Sequence, residues 1–132
     1  MTTKPLLVGK NFALSIALIY SLLLAGASLI NLDGIPKIDV EQGDKILHSI
    51  AYCVLLWLWF YSISYYPKFL KTIALLYAVL ISFTFGIIIE VLQGVFTSTR
   101  KLDFYDIIAN SIGIGLGCFI VIAYFKKDVK KK

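Results

Sequence analysis

The chain has 132 residues, 59% of them hydrophobic and only 16% charged, with a formal net charge of +5 and a mean hydropathy of +0.84. This balance excludes an ordinary soluble globular domain and makes lipid the main solvent of the fold. The positive charge does not read as a nucleic-acid surface, because the basic residues collect at the chain ends and in one short turn, with no stripe interleaved with aromatics.

A helix needs about twenty predominantly apolar residues to cross the hydrocarbon core, so long uncharged gaps locate the crossings. The gap between Lys10 and Asp33 predicts a first helix over about residues 11–31. Lys4, Lys10 and the small residues Ala25, Gly26 and Ala27 also resemble a signal peptide with its cleavage site. The run is too long for that and stays apolar through Ile30, so a retained crossing is expected.

The gap between Lys45 and Lys68 predicts a second helix over about 46–65. Asp44, His48 and Tyr52 stand four residues apart at its start and share one face, with Lys45 beside them. Asp44 is suited to cap the helix and Lys45 to snorkel, while His48 can be either an interfacial histidine with a local partner or a proton carrier. Cys53 sits in this segment and Cys118 in the fourth. Neither their depths nor their flanks suggest a disulfide or a metal site.

The third helix, predicted over about 69–93, carries Ser82, Gly86, Glu90 and Gly94 at four-residue intervals, with Gln93 about one turn from Glu90. A membrane carboxylate is costly unless it is paired, protonated or facing water, which makes Glu90 a candidate functional residue. The alternative is a helix-locking partner for a basic residue such as Arg100 or Lys45. The fourth helix, predicted over about 105–125, has Asp103, Asp106, Asn110, Gly113 and Gly117 on one face. Gly113 and Gly117 suit close backbone approach, Asn110 suits a cross-helix hydrogen bond, and Asp103 or Asp106 suits the helix cap.

The expected architecture is therefore all-α: a single domain over residues 1–132, built as a four-helix transmembrane bundle. Nine of the thirteen basic residues fall on the side of the two chain ends and the loop joining the second and third helices, and seven of the eight acids fall on or near the other side. Both termini are thus expected in the cytoplasm. The second and fourth helices then start outside and the third ends outside, which gathers Asp44, Lys45, His48, Glu90, Gln93, Arg100, Asp103, Asp106 and Asn110 around one outward-facing pocket. Two helix N-termini with Lys45 and Arg100 suit an anion there, and His48 with Glu90 can exchange a proton. The ligand set around His48 is too generic to assert a metal, and no cofactor is indicated.

Three motif pieces, Asp44-Lys45-x-x-His48-x-x-x-Tyr52, Glu90-x-x-Gln93 and Arg100-x-x-Asp103-x-x-Asp106-x-x-x-Asn110-x-x-Gly113, together resemble the VanZ-like family, named for a membrane protein associated with teicoplanin resistance. The resemblance spans about Ser28 to Gly117. It implies a multi-pass protein of the bacterial cell membrane, embedded in lipid, with these residues as its characteristic polar positions. It does not imply a reaction. Three functions follow: binding or remodelling of an anionic lipid head group or lipid-linked wall precursor, with an effect on glycopeptide access; an intramembrane enzyme using His48 or Glu90 as acid/base; or a structural subunit whose polar cluster locks the helices, with Gly86, Gly113 and Gly117 as packing positions. Oligomeric state is not legible in the chain.

Overall fold

The computed structural model describes residues 3–30, 43–66, 68–98 and 101–130, with side chains described between 9 and 126. Four helices follow one another: α1 (Thr3–Leu29), α2 (Gly43–Ser64), α3 (Lys71–Phe96) and α4 (Phe104–Lys130). Each contains a stretch long and apolar enough to cross a membrane. At about 1.5 Å per residue, their 22 to 27 residues span roughly 33–40 Å, more than a hydrocarbon core of about 30 Å.

Local chemistry sets the ends. Pro5 lies in the first turn of α1, where a missing N–H costs little. α2 closes through Tyr65 N–H to Ser62 C=O (3.3 Å) and Tyr66 N–H to Ile63 C=O (3.0 Å), as the sequence Tyr66-Pro67 favours, since the residue before a proline is disfavoured in helix. α3 runs past the expected end near residue 93 to Phe96, where both the N–H and the hydroxyl of Thr97 donate to Gln93 C=O. α4 continues past the expected end near residue 125 to Lys130.

α2 is the centre of the bundle. It packs against all three other helices, α3 also touches α1 and α4, and among the described residues α1 and α4 do not meet. α2 buries large side chains, Tyr52, Leu55, Leu56 and Phe60. Its neighbours bury small or polar stripes: Ala13, Ala17, Ser21 and Ser28 on α1, Ala74, Ala78, Ser82 and Gly86 on α3, and Gly113 and Gly117 on α4. Large apolar residues such as Leu22, Val95 and Phe119 point outward, as lipid solvent requires. Tyr20 O–H donates to Ala51 C=O (2.9 Å) and Trp59 Nε1–H to Ser21 Oγ (3.2 Å), tying α1 to α2.

The two ends of the bundle differ. At one, Lys10 Nζ stands 3.7 Å from the Tyr66 ring centroid and Lys71 Nζ 4.1 Å from that of Phe125. This mixture of lysines and aromatic rings is typical of a membrane–water interface. The opposite end, where α2 and α4 begin and α3 finishes, holds Asp44, Glu90, Asp103 and Asp106 and is called the Lys45 end below.

Candidate functional site

Helix starts position the first layer of side chains at the Lys45 end. Asp103 is the N-cap of α4: its Oδ1 accepts the Tyr105 backbone N–H at 2.8 Å, and its C=O accepts that of Asp106 at 3.1 Å. On α2, Asp44 Oδ1 accepts the Lys45 N–H at 3.0 Å. Lys45 then reaches across to α4, its Nζ 3.2 Å from Asp106 Oδ1, 3.3 Å from Asp103 Oδ2 and 3.8 Å from Asp44 Oδ2. One ammonium thus sits among three carboxylates, and an anion arriving at Lys45 has to share it with them. The Tyr105 N–H, seconded by Lys45, holds the Asp103 carboxyl below the usual carboxylate range against a smaller opposing effect of desolvation.

One turn deeper the polarity is buried. His48 Nδ1 is 3.0 Å from Asn110 Oδ1 and 3.9 Å from Glu90 Oε1, so α2, α3 and α4 meet at the imidazole. An amide oxygen only accepts, and with Asn110 in this orientation the His48 proton is on Nδ1. Glu90 and Asn110 are buried, while His48 and Asp106 are nearly so. Beside Asn110, Gly86 faces Tyr52: a Cβ built at Gly86 would stand 3.0 Å from Tyr52 Cε1 and 3.4 Å from Asn110 Nδ2.

The expected constellation therefore divides. Asp44, Lys45, Asp103 and Asp106 form the outer layer, and His48, Glu90 and Asn110 the inner one. Tyr52 is sequestered beneath them, packed on Phe85 with ring centroids 6.4 Å apart. Gln93 turns to the other side of α3, where Nε2–H donates to Ser28 C=O at 2.8 Å and bolts α3 to α1. Arg100 lies outside the described residues. Of the two basic partners expected for Glu90, Lys45 forms ion pairs with the aspartates.

A groove of about 610 Å³ opens between α2 and α4, and it shares only Lys45 with the residues expected to line a pocket. Lys45, Ser49 and Tyr105 stand at its head, and below them its walls are apolar, from Ile46 and Ile50 down to Leu116 and Ile120. Most of these wall residues are exposed, so the groove faces the lipid. Its floor exists because the helices touch: Ser49 Oγ donates to Ala109 C=O at 2.8 Å, and Gly113 lies directly against the Ser49 carbonyl. The sequence reading missed this groove and the contribution of α1. For α1, the recurrence of Ala13, Ala17 and Ser21 every fourth residue was the available signal.

A family model described as VanZ/LLP1 matches residues 8–126 of the chain. No curated protein and no solved structure matches it.

Proposed function

Because the chain belongs to the VanZ/LLP1 family and carries four membrane-crossing helices, we propose that it binds or remodels an anionic lipid head group, or a lipid-linked wall precursor, in a bacterial cell membrane. The Lys45 end faces outward in this reading, since Lys10, Lys68, Lys71 and the basic tail belong to the opposite end and lysines are retained in the cytoplasm. By occupying such lipids the protein alters the access of glycopeptides such as teicoplanin to the envelope.

The observation that carries the reading is the amphiphilic shape of the α2–α4 groove. Its head offers Lys45, Ser49 and Tyr105, and its walls are aliphatic. The groove follows α4 from Tyr105 to Ile120, roughly 22 Å at the helical rise, against a leaflet of about 15 Å. One hydrocarbon chain lies along it with the head group at Lys45. The proximity of His48 to Glu90, 3.9 Å, supports a second reading in which the pair moves a proton at a bound head group.

The test compares envelope lipids and teicoplanin susceptibility in cells carrying wild type, His48→Ala, Glu90→Gln or an empty vector, with membrane accumulation measured in parallel. A shift seen with wild type and lost in both well-accumulated variants supports a site at the Lys45 end. A shift that persists in both leaves the cluster with a structural role.

A further inference from the structure

We infer that His48, Glu90 and Asp106 form a binding site for a first-row divalent cation of the zinc type. Each residue offers one ligand atom, and the three atoms lie within 4.8 Å of one another. They come from three different helices, α2, α3 and α4, so the site is assembled by the bundle itself and not by one local sequence.

The geometry is close to what an ion needs. Ligand atoms at about 2.0 Å from a tetrahedral zinc stand roughly 3.3 Å apart. His48 Nδ1 and Glu90 Oε1 are already 3.9 Å apart; the ion takes the place of the Nδ1 proton that Asn110 Oδ1 now accepts, that proton passing to Nε2, and separations of up to 4.8 Å close with about 1.5 Å of carboxylate rotation. Asp106 places Oδ1 on Lys45 and has a second oxygen to give. One imidazole nitrogen with two carboxylate oxygens suits zinc or manganese, whereas magnesium and calcium favour all-oxygen shells.

Asn110 supplies an independent observation. It is only 3% exposed, its amide is aimed into the group with Oδ1 3.0 Å from His48 Nδ1, and its Nδ2 has no hydrogen-bond partner among the described residues. Because Asn110 holds the same nitrogen that the ion needs, binding releases its amide to turn toward the ion's remaining position. A buried amide N–H left open beside it is suited to an oxygen bound to the ion, whether of water or of an anion.

Three protein ligands leave a zinc ion one open position. In the lipid-binding reading, a phosphate oxygen takes that position, which lets an end rich in carboxylates hold an anionic head group. Only the identity of this fourth ligand rests on that reading, and the cation site stands without it.

The experiment uses the full chain in detergent, tag removed, with Cys53→Ser and Cys118→Ser so that thiols do not contribute. Zinc and manganese are titrated calorimetrically, and bound metal is counted after dialysis. One ion per chain is expected, bound more than about tenfold more weakly by His48→Ala and by Asp106→Ala but not by the rim variant Asp44→Asn. Absence of binding to the parent chain, or equal binding by His48→Ala, overturns the inference. Cobalt absorption on the parent chain needs no site variant: intense visible bands indicate the expected four-coordinate shell, and the weak spectrum of a hydrated ion contradicts it. Metal binding without lipid retention refutes the lipid reading alone.

Discussion

Gly113 carries the closest approach in the bundle, and replacing it with alanine tests whether that approach holds the site together. A Cβ at this position would collide with the Ser49 carbonyl oxygen and stand 2.8 Å from its carbon and 2.9 Å from Ser49 Cα, where ordinary contact is 3.4–4 Å. The obstructing atoms are backbone, so no rotamer change relieves them, and α2 and α4 must separate by roughly 1 Å. Overpacking of this kind costs about 1–3 kcal/mol, against which the better helix propensity of alanine returns up to about 1 kcal/mol. The same separation lengthens Ser49 Oγ to Ala109 C=O, Lys45 to Asp106 and His48 to Asn110. We expect a net loss of about 2 kcal/mol for Gly113→Ala. Gly117→Ala should lose less, since its nearest obstacle at 2.6 Å is the flexible end of Leu56, and Gly115→Ala, with open space around it, should lose nothing. Thermal unfolding in one detergent, read as order of stability, checks the series. A Gly113→Ala protein as stable as Gly115→Ala refutes the close-contact argument.

Gln93→Leu should destabilise the bundle by about 1–2 kcal/mol, because it strands the Ser28 carbonyl that receives its Nε2–H; unfolding that matches wild type would remove the α1–α3 bolt. Asp103→Asn keeps the capping oxygen and removes the charge. Since the Asp103 carboxyl titrates below its ordinary 3.8 in the folded protein, its charge stabilises at neutral pH, and that contribution is lost as pH falls below 3.8 through the depressed value. The wild-type advantage over Asp103→Asn in melting temperature should therefore shrink on acidification, and a constant advantage contradicts the stabilisation of the Asp103 charge by the Tyr105 N–H and Lys45. Ser98→Cys, in a chain lacking Cys53 and Cys118, should react with a membrane-impermeant maleimide in intact cells; reaction only after lysis reverses the orientation.

The number and order of the helices were legible because lipid leaves a plain record: long uncharged stretches, each bounded by charged residues, mark the crossings. Helix direction then brought the polar residues to one end without any knowledge of packing. Partner choice was not legible, because it depends on helix rotation and approach. Lys45 finds Asp103 and Asp106, 58 and 61 residues away, where the sequence offered it Glu90 as an ion-pair partner. Gln93, only three residues from Glu90, faces a different helix, and so the expected single pocket separates into a polar cluster and a lock on α1. The groove was invisible for a further reason. Its walls are ordinary lipid-facing aliphatic residues, and the contacts of Ser49 with Ala109 and Gly113 make them two sides of one groove.

Lipid retention by the purified protein addresses the central claim most directly. Native mass spectrometry of the wild type is compared with Lys45→Ala, which removes the cation at the groove head, and Ile112→Trp, which fills the groove between two helices it does not cross. The account predicts a phosphate-bearing lipid retained by wild type at one per chain and lost from both variants while they remain folded. Retention of the same lipid at the same stoichiometry by both folded variants contradicts it.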